Sequence, residues 1–176
     1  MKKVFLSLLL LLSVTITFGQ DWIDYKSTEL GFAVNFPEEP SITSQMVPTE
    51  VGDIEMKLVM MDMSLVNDSK NIFYSVILSH YPKELFENAT DALKDETLDN
   101  AANGGLANSG GTLVYTKKVQ FAGYPGREMK IEITGMYLYM NLYLVENTIY
   151  INQVICYLDN DKNTDIERFQ NSFKLL

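Results

Sequence analysis

Residues 127–157 read REMKIEITGMYLYMNLYLVENTIYINQVICY, and two tight turns inside this stretch decide how it folds. A two-residue turn at Thr134-Gly135, with glycine supplying a positive φ angle, sets Ile133 against Met136, Ile131 against Leu138 and Met129 against Met140. A second turn at Glu146-Asn147 sets Leu144 against Ile149, Leu142 against Ile151 and Leu138 against Ile155. All of these pairs fall on one face of a three-stranded antiparallel meander. The opposite face carries Glu128, Lys130, Glu132, Tyr137, Tyr139, Asn141, Tyr143, Tyr150, Asn152 and Cys156. A slip of one residue would push Lys130 and Glu132 among the leucines, so the register is strongly specified. Gln153 lands on the aliphatic face, where it needs a hydrogen-bond partner.

Working outward, residues 22–26 and 32–36 read as a first pair of strands, turned at Glu29-Leu30-Gly31 and ended by Pro37 and Pro40. Residues 42–47 and 55–65 form the next hairpin, and 72–81 is a strongly alternating strand. Residues 83–103 have helical spacing, with Leu85, Phe86, Ala89, Ala92 or Leu93, and Leu98 as the buried stripe. Gly104-Gly105 is the expected stop, and 108–111 a flexible connection. Residues 113–121 form a further strand, and the loop 122–126 sets Val119 against Met129. The chain ends in a short helix, with Thr164 and Glu167 as a capping box and Ile166, Phe169 and Phe173 along one side. The fold class is α+β: an antiparallel sheet of about seven to nine strands with a long central helix and a C-terminal helix packed on it.

The first 19 residues have the make-up of a secretion signal. Lys2 and Lys3 precede an apolar stretch from Val4 to Val14, and Thr17 and Gly19 offer small residues before a cut. The stretch is short of the roughly 20 residues a spanning helix needs, and no later segment could span a membrane. With no cysteine near the cut, a lipoprotein anchor is excluded. Residues 20–176 then form a single domain, large enough for a sizeable core. Without Lys2 and Lys3, 12 basic residues stand against 23 acidic ones, a net charge near −11. Such a surface repels nucleic-acid phosphates and anionic lipid. Cys156 is the single cysteine, so no intramolecular disulfide can form and stability must come from the core.

Few residues carry a signal for chemistry. His80, the single histidine, sits at a strand end before Tyr81-Pro82 and lacks a nucleophile elbow to serve, so it reads as an exposed or hydrogen-bonded residue. Cys156 lies in an apolar strand with nothing basic nearby in sequence, the setting of a small hydrophobe rather than a nucleophile. Asp159, Asp161, Asn163 and Asp165 alternate like the start of a calcium loop, but Thr164 and Gln170 occupy the positions that want Gly and a bidentate Glu. Met56, Met60, Met61 and Met63 could offer thioethers to Cu(I), yet strand alternation splits them between two faces. Asn67-Asp68-Ser69 and Asn88-Ala89-Thr90 match the glycosylation sequon, a pattern short enough to arise by chance. No catalytic, cofactor-binding or metal-ligating set is assigned. The candidate that remains is the face formed by Tyr137, Tyr139, Asn141, Tyr143, Tyr150 and Asn152. Tyrosine suits recognition, and an amphipathic sheet face can equally be packed under a helix or half-solvated.

Three motifs add a family likeness. Gly31-Phe32-Ala33-Val34-Asn35-Phe36-Pro37, Asn147-Thr148-Ile149-Tyr150 and Arg168-Phe169-Gln170-Asn171-Ser172-Phe173-Lys174 resemble the PsbP-like pattern, as does Gly123-Tyr124-Pro125-Gly126-Arg127-Glu128 among its bacterial members. The photosynthetic members usually place a Trp soon after the proline of the second strand; here Pro40-Ser41-Ile42 stands instead, and photosystem function is not carried over. The resemblance implies an α/β/α sandwich around an antiparallel sheet and a mostly non-catalytic group. The expected function is a non-enzymatic binding or adaptor module, periplasmic or extracellular, with a protein or small-molecule partner in the cell envelope. The alternatives are an envelope hydrolase using a carboxylate cleft and a structural accessory subunit of an envelope complex.

Overall fold

A computed structural model describes residues 22–49 and 52–176. The leader expected at residues 1–19, and the cut expected after it, lie outside the described residues. In chain order the elements are β1 (Ile23–Ser27), β2 (Phe32–Phe36), β3 (Ser41–Thr49), β4 (Gly52–Asp62), β5 (Asn71–His80), α1 (Asp91–Ser109), β6 (Thr112–Phe121), β7 (Tyr124–Ile133), β8 (Met136–Val145), β9 (Thr148–Tyr157), α2 (Thr164–Ser172) and β10 (Lys174–Leu175). Seven strands pair in the order β3-β4-β5-β9-β8-β7-β6, and a separate three-stranded sheet has the order β1-β2-β10. All pairings are antiparallel. The main sheet has seven strands, within the seven to nine expected, and the first hairpin pairs outside it. The reason lies in β2, where Phe32, Ala33, Val34 and Phe36 are all buried. A strand apolar on both sides belongs between layers, not in a sheet with alternating faces.

The meander has the register read from its turns. Ile133, Ile131 and Met129 face Met136, Leu138 and Met140; Leu144, Leu142 and Leu138 face Ile149, Ile151 and Ile155. Asn141 and Asn152 stand opposite each other on the other side. Two cores follow. The aromatic face of the sheet meets β2 and α2, burying Phe32, Phe36, Tyr139, Tyr143, Tyr150, Phe169 and Phe173. The aliphatic face meets α1, burying Leu98 and Ala102 against Met129, Ile131, Leu138, Met140 and Leu142. Helices therefore cover the main sheet from both sides.

Four local expectations are corrected. The helix read at 83–103 is split. Lys83–Leu85 is one 3-10 turn, and α1 begins where the Thr90 hydroxyl accepts from the Leu93 amide at 3.2 Å. It then runs through Gly104 and Gly105, because Gly105 crosses the sheet where an added Cβ would come within 3.0 Å of the Met140 methyl. The stop comes at Gly110, left-handed at φ 63°. The loop at 122–126 is a two-residue turn instead, Ala122 and Gly123 at φ 50° and 86°, so Val119 faces Gly126 and Met129 faces Thr116. The cap of α2 is Asn163, not Thr164: its side chain accepts from the amides of Asp165 and Ile166. Gln153, on the aliphatic face, is half-buried and lines an open hollow, so it is not sealed in the core and burial imposes no internal partner.

Candidate functional site

The Tyr/Asn face is an interior face. Tyr139, Tyr143, Tyr150, Asn141 and Asn152 are buried, and Tyr137 is half-buried. Tyr143 stacks on Phe121 with ring centroids 4.6 Å apart, and Tyr150 and Tyr143 both pack on Phe173. The Tyr150 hydroxyl donates to the Leu30 carbonyl at 3.0 Å. Burial pushes the Tyr143 phenol up to about 12. As a recognition surface this face is therefore corrected: β2 and α2 already occupy it.

The other candidates are equally absorbed by the fold. The His80 Nδ1 lies 2.8 Å from the Thr148 hydroxyl at an exposed strand end. Cys156 is fully buried, and burial, with the Asp161 carboxylate adding to it, pushes its thiol up to about 11. Asp161 accepts from Lys130 at 2.7 Å and from the Tyr139 hydroxyl, while the Lys130 ammonium lies 3.6 Å from the Tyr137 ring centre. Asn163 exchanges hydrogen bonds with Asn71 at 2.8 and 3.1 Å. The would-be calcium turn is thus a clasp between β7, β8, β5 and α2. Met61 and Met63 are buried on the aromatic side, whereas Met56 and Met60 lie half-buried on the aliphatic side. Among the described residues no group of three or more His, Cys, Asp or Glu is placed to hold a metal ion.

What remains open is on the aliphatic face. Seven strands at ~4.8 Å spacing make a sheet roughly 29 Å across, and one helix about 10 Å wide covers only part of it. Helix α1 lies over β7 and β8. Beside it, Met56, Leu58 and Met60 of β4, Phe73 and Ile77 of β5, and Ile151 and Ile155 of β9 are left half-buried. The result is a trough with a sheet floor and α1 as one wall. One hollow of about 460 Å³ lies over Ile54, Met56, Ile77, Ile149 and Ile151, walled by Ala101, Gly104 and Asn108 of α1. A second, of about 450 Å³, shares Thr49, Tyr81 and Ala101 with it and extends to Leu85, Phe86, Leu93 and Glu96. The alternation of β4, apolar at 54, 56, 58 and 60, was legible in the sequence. So was the shortage of helices to cover an aliphatic face this wide.

The wall is fixed from behind by charge. Arg127, buried on β7, donates to Asp99 at 2.6 Å and to Asp95 at 2.9 Å, and Lys118 pairs with Asp95 at 2.7 Å. The hydrogen bonds from Lys118 and Arg127 hold the Asp95 carboxyl below the usual carboxylate range. A general acid needs the opposite shift, so Asp95 acts here as a tether for α1.

Among the described residues no helix is long and apolar enough to cross a membrane. No family model matches the chain, and no curated protein does. Among solved structures, the cyanobacterial PsbP (CyanoP) of Synechocystis sp. PCC 6803, determined in solution, aligns with a TM-score of 0.54 at 12% identity, over 89% of this chain and 94% of that one. At that identity the likeness speaks for architecture alone: the chain has a PsbP-like fold.

Proposed function

We propose that this chain is an exported, non-enzymatic binding or adaptor module whose contact surface is the trough beside α1. The observation that carries the reading is the half-buried apolar set of Met56, Leu58, Met60, Ile77 and Ile151, in which Leu58, Ile77 and Ile151 stand side by side across three strands, with the Ser75–Gln153 row separating them from Phe73 and Ile155. Contiguous apolar surface of this kind marks interaction sites in folded proteins. The aromatic face, by contrast, is largely covered by β2 and α2.

A photo-crosslinking amino acid placed at Ile77 tests it in the native cell envelope. Adducts are expected at Ile77 and not at Glu38, an exposed residue away from the trough. Equal labelling at both positions, or none at Ile77, would overturn the reading. Export has its own test: N-terminal sequencing of the cell-envelope or medium fraction should return Gln20 or Asp21. An intact Met1 in the cytosol would sink it.

A further inference from the structure

Resting on that reading, we infer that the trough takes a basic amphipathic helix of a partner protein. The dimensions point to a helix. From Ile54 to Met60 the floor of β4 runs ~20 Å at ~3.3 Å per residue, the length of about 13 helical residues. The uncovered strands lie beside α1, so a second helix there would complete the layer that α1 begins. The wall allows close approach. Thr97, Ala101, Gly104 and Asn108 line it at helical spacing, and a Cβ added at Gly104 would meet nothing within 4 Å.

Charge selects among occupants. Glu96 is the one charged side chain among the residues lining the two hollows, and it makes no ion pair among the described residues. On α1, Asp91 pairs with Lys94, and Asp95 and Asp99 pair with Lys118 and Arg127 behind the wall, which leaves Glu96 as the acidic group facing the trough; the whole chain has a formal charge of −9. A second copy of the chain or an anionic lipid would meet like charge at this rim. A helix with apolar residues at i, i+3, i+4 and i+7 and Lys or Arg on its flanks meets both the floor and the rim.

Two labelled peptides of about 18 residues test this, sharing one apolar face and differing only in Lys or Glu flanks, with binding read by fluorescence anisotropy on the purified protein. The Lys peptide should bind at least about tenfold more tightly at low salt, and the preference should shrink at about 0.5 M NaCl. Glu96→Lys should narrow the preference. Gly104→Leu, which fills the trough while favouring helix, should weaken the Lys peptide about tenfold or more with the fold intact. A Glu peptide that binds as well or better would overturn the inference. So would palmitate binding, or self-association seen by light scattering, that Gly104→Leu abolishes while neither peptide binds; the trough would then still be the contact surface. If neither peptide binds and crosslinks at Ile77 are absent, both the inference and the reading beneath it fall.

Discussion

The Tyr150 hydroxyl donates to the carbonyl oxygen of Leu30 across 3.0 Å, joining two residues 120 positions apart in the sequence. Leu30 precedes Gly31, which turns the chain into β2 at φ 74°, and a Cβ at Gly31 would stand 2.9 Å from that same hydroxyl. This bend is therefore one of the points at which the small sheet is pinned to the large one.

Tyr150→Phe should remove the bond while keeping the ring, at a cost of about 1–3 kcal/mol for a buried carbonyl left alone. Gly31→Ala should cost more, because the left-handed backbone and the contact with Tyr150 are both violated. Urea unfolding of the two variants checks the order. A neutral Gly31→Ala would show that the bend is not a constraint.

Side chains on the two faces of the meander should respond by burial. Leu142 is fully buried beneath α1, so Leu142→Ala should cost about 2–5 kcal/mol. Tyr143→Ala should cost a similar amount, about 3–5 kcal/mol, because its ring is stacked on Phe121 inside the aromatic core. Ile151 faces the trough half-buried, and Ile151→Ala should cost only about 1–2 kcal/mol. Equal losses for Ile151 and Leu142 would mean that the trough is filled.

Acid should loosen the clasp at Asp161. Burial alone would raise this carboxyl, but hydrogen bonds from Lys130 and Tyr139 outweigh it and hold it below its usual 3.8. A folded value below the unfolded one gives stabilisation that is full above the unfolded value and lost as pH falls through the folded one. Asp161→Asn should therefore destabilise the protein by about 1–3 kcal/mol at pH 7. The difference from the parent should begin to narrow below about pH 4 and close as pH falls through the lower folded value. Denaturant unfolding at pH 7 and pH 3 reads it; a gap that is constant with pH would exclude the ion pair.

Cys156 should be silent in the folded state. With its thiol pushed up to about 11 and no exposed surface, it has almost no thiolate at pH 8. A disulfide reagent should titrate one thiol in denaturant and essentially none within minutes under native conditions. Rapid native labelling would place Cys156 at a surface that the fold denies it.

The meander follows from local pattern alone. Period-two alternation and two short turns are local properties, so the pairing of Leu142 with Ile151 and of Asn141 with Asn152 followed from neighbours along the chain. Even the split of Met56 and Met60 from Met61 and Met63 was legible this way. Which face lies inside is set by segments distant in sequence. Tyr139, Tyr143 and Tyr150 look like recognition residues until Phe32, Phe36, Phe169 and Phe173, distant in sequence, close over them. The helix runs past its local stop signal for the same reason: Gly105 is a breaker on local propensity, yet it is what lets α1 approach Met140. Alternation assigns residues to faces, but coverage depends on how many helices the chain has to lay over a sheet of given width. With α1 alone on the aliphatic side, the surface left open is the leucine, isoleucine and methionine strip, and the tyrosines are the core.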